Sequence, residues 1–144
     1  MSKLAGRRFI RPADVETQVF DWGTIKWLSE PRVTGTERFT MGVVLLQPGK
    51  GHVRHNHPGT EEILYVVSGH GKQMIDIDGE QWEPVSAGDM IHIPADIFHA
   101  TINSGWEPLK NDRSLFAAGP RGASTRHAGV PGARTRRTAR NLAR

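Results

Sequence analysis

From Val19 onward the chain divides into short apolar segments, each closed by glycine, proline or an Asp-Gly pair. Val19 to Leu28 reads as one or two short strands, and Glu30-Pro31 breaks them. Phe39 to Gln47 is dense in apolar residues and predicts a strand buried on both faces, ended by Pro48-Gly49. Ile63 to Val67 is rich in β-branched and aromatic residues, the composition of a strand. It runs into the glycine-bounded turn Ser68-Gly69-His70-Gly71, and Lys72 to Ile77 forms the returning strand. Asp78-Gly79 is a hairpin signal because both residues tolerate positive φ. Trp82 to Val85 leads to Gly88, a further strand ends at Pro94, and Leu115 to Ala117 closes the series. No segment carries a sustained helical period.

Chemistry enters between the strands. His55 and His57 stand two apart, and extended chain repeats its side-chain direction every second residue, so the two imidazoles share a face. Glu62 follows the turn-like insert Pro58-Gly59-Thr60-Glu61 and opens the apolar stretch. His99 lies 37 residues beyond Glu62, after the strand that ends at Pro94. A borderline or hard divalent ion accepts such mixed imidazole and carboxylate donors.

The spacing of Gly49, His55, His57, Glu62 and Gly69, followed by Gly88, Pro94, His99 and Asn103, resembles the two motifs of the cupin superfamily, in its small single-domain form. Asp96 stands where the second motif carries glycine, a tolerable exchange because aspartate adopts left-handed backbone more readily than most residues. The resemblance implies an all-β double-stranded β-helix, a jelly-roll barrel. It also implies that His55, His57, Glu62 and His99 bind one divalent metal ion per chain, of the Mn, Fe, Ni or Zn kind. Clustered inside an apolar barrel, these four would otherwise leave polar groups uncompensated. On this reading residues 1–38 are an N-terminal arm and strands joining the barrel, residues 39–118 the barrel core, and residues 119–144 a basic tail. Small cupins pair through N-terminal strands, so a homodimer using Val19 to Leu28 is expected.

Charge sharpens the division. The formal net charge of +4 hides a tail, residues 121–144, with seven arginines and no acid, whereas the remainder holds 12 basic and 15 acidic residues. Nearly free of large apolar side chains, the tail is expected to be disordered. It lacks interleaved aromatics, so nucleic acid is expected to meet it only through nonspecific contact. The absence of cysteine excludes disulfides, thiolate ligands and a cysteine nucleophile. No apolar run has the length of a membrane span. Arg7-Arg8-Phe9-Ile10 is followed by Arg11-Pro12-Ala13-Asp14 rather than an apolar segment, so a cytoplasmic location is expected.

Four protein ligands on an ion that prefers six leave about two positions for water or a bidentate substrate. That favours a metal-dependent enzyme of isomerase, epimerase, lyase or dioxygenase type, acting on a small oxygen-rich metabolite such as a sugar or sugar acid. A non-catalytic cupin that binds or senses a small ligand is the alternative. For proton transfer the candidate is His92, because histidine is the residue type suited to shuttling protons. Glu61 is a candidate for supporting His57. Strand alternation puts Leu64 and Val66 on the face of Glu62 and Tyr65 opposite, while Gln73 is placed to line the interior. His52, His70 and His127 read as surface or hydrogen-bonded residues, and the four tryptophans as packing groups.

Overall fold

Alternating inward and outward side chains build two antiparallel sheets, seen in a computed structural model that describes residues 6–117 and the strand at 134–136. A short 3₁₀ turn, Pro12–Asp14, precedes β1 (Thr17–Phe20) and β2 (Gly23–Ser29). One helical turn, α1 (Pro31–Thr34), leads to β3 (Phe39–Leu46), β4 (Thr60–Ser68), β5 (His70–Asp76), β6 (Glu80–Ser86) and β7 (Met90–Ile93). The strands β8 (His99–Ile102), β9 (Leu109–Ala117) and β10 (Arg134–Arg136) complete the order. The larger sheet runs β10-β1-β2-β3-β9-β4-β7 and the smaller β6-β5-β8. This is an all-β jelly roll, as the sequence implied. Among the described residues no helix is long and apolar enough to cross a membrane.

The core consists of inward residues of the large sheet, Ile25, Trp27, Val44, Leu46, Leu64, Val66, Ile91, Ile93, Leu109 and Leu115, packed with Val85 and Ile75 of the small one. Burial of this apolar surface stabilises the barrel by roughly 25 cal/mol per Å². The hairpin expected at Asp78-Gly79 joins β5 to β6, with φ of 58° and 112° at its two turn residues.

Four features depart from the sequence expectation. β3 is not buried on both faces: Thr40, Gly42, Val44 and Leu46 point inward, while Phe39 and Leu45 are exposed and Met41 and Val43 half-buried. Trp82 to Val85 belongs to a full strand, β6, whose edge position lets Pro84 go without a ladder partner for its missing N–H. β9 begins at Leu109 rather than Leu115, because its inward positions 111 and 113 carry Asn and Arg and so mask the apolar alternation. Three residues of the basic tail, expected to lack structure, pair with β1 in the register Thr17↔Arg136, Gln18↔Thr135 and Val19↔Arg134. Backbone pairing needs no apolar side chain, which is why composition gave no sign of it. His127 and the rest of the tail lie outside the described residues.

Candidate metal centre

Main-chain bonds place the first motif beside the second before any side chain is considered. The segment between β3 and β4 runs antiparallel to β8: the His52 N–H donates to Thr101 O at 2.9 Å, and His55 and His99 exchange N–H···O bonds of 3.1 and 2.8 Å. The His55–His99 bridge therefore sets two of the imidazoles side by side, with ring centroids 4.4 Å apart. Asp96 takes the left-handed conformation at φ 70°. Its carboxylate accepts the Gly59 N–H at 2.9 Å and its carbonyl accepts the Asn56 amide at 3.1 Å, so the residue standing in for glycine also ties the two motifs together. Buried Asn103 closes the second motif, donating to Leu46 O and Glu107 O and accepting the Gly105 N–H.

His55, His57, Glu62 and His99 converge, one donor atom from each lying within 4.8 Å of the others. The chemistry of the donors can be read from their neighbours. A backbone carbonyl only accepts, so His55 Nδ1 must donate to Val53 O at 2.7 Å and His99 Nδ1 to Ile97 O at 2.9 Å. In the neutral rings this leaves the lone pair on Nε2, the orientation that metal-binding imidazoles use. His99 Nε2 is buried without a hydrogen-bond partner and lies 3.1 Å from Glu62 Oε2. His57 Nε2 is also 3.1 Å from Glu62 Oε2. Three lone-pair atoms thus face one another at close range, and a shared cation satisfies them all. Contacts of this length suit neighbouring ligands on an ion with bonds of about 2.0–2.2 Å.

The electrostatics agree. Burial acts to raise the Glu62 pKa, but the charge of Arg113, aided by the proximity of His57 and His99, outweighs it and holds the carboxyl well below its ordinary range. Glu62 is therefore a carboxylate. Burial, then the proximity of His99, depresses the His55 imidazole to about 4, so it stays neutral and keeps its lone pair at neutral pH.

Two residues that sequence reasoning did not place at the site belong to it. Arg113, only 1% exposed at the centre of β9, has Nε 2.9 Å from Glu62 Oε1 and Nη2 3.4 Å from Glu62 Oε2, and Nη2 donates to His57 Nε2 at 2.6 Å. Gly42 stands opposite Arg113 in β3 and leaves space for the Trp27 ring, whose centroid is 5.7 Å from the guanidinium carbon. His52, read above as a surface or hydrogen-bonded residue, packs against Trp22 with centroids 4.0 Å apart and lies 5.5 Å from the His55 ring. Its Nε2 is buried without a protein partner among the described residues, and burial, then Arg113, keeps its pKa well below the usual value.

Other candidates fall elsewhere. His92 is not brought to the cluster: Ile91 and Ile93 point into the core, and His92 between them bonds Glu61 at 2.8 Å on the exposed face. Glu61 therefore supports His92 rather than His57. Tyr65 is exposed while Leu64 and Val66 are buried, as alternation required. Gln73 is interior and accepts the Thr101 hydroxyl at 2.6 Å. Trp27 is buried, Trp22 flanks His52, and Trp106 is exposed.

Comparison with known proteins gives a consistent picture. The model of the family described as "Cupin domain" matches residues 42–111. Polyketide synthase CurC of Streptomyces cyaneus is 32% identical over 103 residues, covering 72% of this chain and 65% of CurC. The oxalate decarboxylase of Lactobacillus farciminis, solved as a formate complex, superposes with a TM-score of 0.65 at 27% identity, over 76% of this chain and 32% of that one. An RmlC-like cupin from Shewanella frigidimarina superposes with a TM-score of 0.67 at 16% identity, over 87% of this chain and 97% of that one, a likeness of fold. The chain thus spans about two thirds of the length of CurC and a third of the decarboxylase. Motifs, barrel and family model agree, and the chain carries a small cupin domain.

Proposed function

We propose that His55, His57, Glu62 and His99 hold one divalent ion and that the protein is a metal-dependent enzyme acting on a small oxygen-rich metabolite. The single observation that carries this reading is the buried, unpartnered Nε2 of His99 facing the ionised Glu62 carboxylate at 3.1 Å. Apposed acceptors of this kind are costly in a barrel interior unless a cation lies between them.

Bound by these four residues, a divalent ion supplies Lewis acidity to an oxygen of the ligand. The chain's own groups do the rest. Glu62 brings one negative charge, and the three imidazoles bring lone pairs oriented by backbone carbonyls at two of them. Leu64, Val66 and Ile93 form part of the apolar interior behind Glu62 and strengthen electrostatic contacts there by excluding water. His52 Nε2 offers a hydrogen-bonding atom to a ligand, a task that His92 on the opposite face cannot perform. Isomerase, epimerase, lyase and dioxygenase chemistries all suit such a centre. That His92 lies outside favours a second reading, a cupin that binds a small ligand without turning it over.

The native assembly is proposed to be a homodimer. Exposed Leu45, Tyr65, Val67 and Met90 on the outer face of the large sheet, rather than the Val19 to Leu28 segment expected from the sequence, support pairing of this face with a second copy. Protein purified anaerobically without a metal-affinity column, then screened against sugar acids and keto acids with and without oxygen, tests the enzyme reading. Bound metal at one ion per chain with turnover of an acid is the expected result. Metal and ligand binding without turnover across the panel would favour the binding protein.

A further inference from the structure

The feature that a four-ligand site leaves unexplained is the buried guanidinium beside it. Besides the Trp27 ring, the Arg113 head group meets two of the four proposed ligands: Glu62, through both carboxylate oxygens, and His57, through Nε2. Nη1 is buried and has no hydrogen-bond partner among the described residues. Burying an arginine at 1% exposure with Nη1 unsatisfied, and Nε held to Glu62 by ion pairing without a hydrogen bond, is costly, and salt bridges in such settings seldom recover the desolvation of both charges. The arrangement calls for a further acceptor.

Charge counting says what kind. With neutral imidazoles, Glu62 and Arg113 sum to zero, so a divalent ion raises the buried total to +2, where a site without the arginine would reach only +1. Donor counting agrees. Once His57 Nε2 gives its lone pair to an ion, the Nη2 donor at 2.6 Å loses its acceptor and joins Nη1, while Nε keeps Glu62 Oε1 at 2.9 Å. What remains is the two-nitrogen end of a guanidinium fork, matched in shape and charge to a carboxylate. We propose that Arg113 is the substrate-recognition residue of this site and that it selects a compound carrying two negative charges, a dicarboxylate or a carboxylate with an ionised neighbouring oxygen. This rests on the metal reading above and sharpens the substrate from oxygen-rich metabolites in general to small dianionic acids. Neutral sugars are poor ligands on this account.

Oxalate is the probe. Calorimetric titration of metal-loaded wild type, Arg113→Lys and Arg113→Met, with metal content measured on the same samples, separates recognition from metal binding. In the loaded protein the ion partners Glu62, so Arg113→Met is expected to keep one ion per chain and lose at least tenfold in oxalate affinity, with Arg113→Lys in between. Wild-type oxalate affinity in a metal-loaded Arg113→Met protein would overturn the proposal. A wild type that takes up no ion would defeat the metal reading instead; Arg113 is then judged by the same titration on ion-free protein, where equal oxalate affinity in wild type and Arg113→Met overturns it. If Arg113→Met does not fold, the Arg113 Nε–H resonance of the zinc-loaded wild type, assigned by its loss in Arg113→Lys, gives the answer. It should move on adding oxalate and stay in place with ethylene glycol, and a resonance indifferent to oxalate would overturn the proposal.

Discussion

The two faces of the large sheet distribute polar and apolar residues in different ways. On the inner face, neighbouring strands β4 and β9 bury Glu62 and Arg113 at 2% and 1% exposure, among Leu64, Val66, Leu109 and Leu115. On the outer face the same strands expose Tyr65, Val67 and Phe116, flanked by Phe39 and Met90. A buried charged pair thus sits within the apolar core, and exposed apolar side chains share the outer face with Glu61 and His92. The inner face gathers lone pairs suited to a cation, and the outer face presents apolar side chains suited to a protein partner. The comparison teaches that one strand can serve two purposes when its period-2 alternation separates them.

The strongest way to break the inner half of this comparison is to remove one member of the buried pair. In ion-free protein Glu62→Gln leaves Arg113 without its counter-charge, and destabilisation of about 3–5 kcal/mol is expected from loss of one partner of a buried ion pair. Adding Arg113→Met to Glu62→Gln should recover most of that loss. Urea unfolding of the two single variants and the double variant reads the coupling, and additive losses would mean that the two side chains do not depend on one another.

How far the sequence reveals this division depends on what each position advertises. The four clustered residues were legible because their spacing is itself a motif, and Asp96 could be read through its backbone tolerance. Arg113 was not. It lies in Lys110-Asn111-Asp112-Arg113-Ser114, a polar run that resembles a loop, although Asn111 and Arg113 are the inward residues of a strand. His52 stayed hidden because its burial comes from Trp22, on the chain segment between β1 and β2, and no local pattern joins the two. His92 misled in the opposite sense, since register and not residue type decides its face. The apolar density of β3 signalled burial on both faces, whereas its alternate residues are exposed or half-buried.

A smaller effect, dependence on pH, sharpens the contrast between neutral and charged groups inside. As pH falls below about 6.5, the unfolded chain protonates its histidines, while folded His55 refuses the proton until about 4 and His52 is depressed as well. The unfolded state then binds more protons, so the stability of the ion-free protein should decline from about pH 6.5 to about 4. Glu62, ionised in the fold far below 4.5, extends the decline in more acid solution. Chemical unfolding at pH 7.5 and 5.0 checks this, and His55→Asn should flatten the slope. Equal stability at the two values would contradict the burial of neutral imidazoles.

The smallest effect on the fold is expected from the outer face. Tyr65→Glu combined with Met90→Lys alters exposed side chains, so unfolding midpoint and metal content should change little. Sedimentation should nevertheless show a dimeric wild type and a monomeric variant. A wild type that is monomeric at micromolar concentration would leave the outer face without the partner assigned to it.

The central claim, that the inner face is a metal centre, is tested most directly by metal stoichiometry. Wild type, His55→Ala and His99→Ala, each stripped with chelator, dialysed against manganese, iron, nickel or zinc under anaerobic conditions and measured by elemental analysis, give the answer. The account predicts one tightly held ion per chain in the wild type and occupancy reduced at least tenfold in both variants, with the β-sheet circular dichroism unchanged. Full occupancy in both variants, or none in the wild type with any of the four metals, would contradict it.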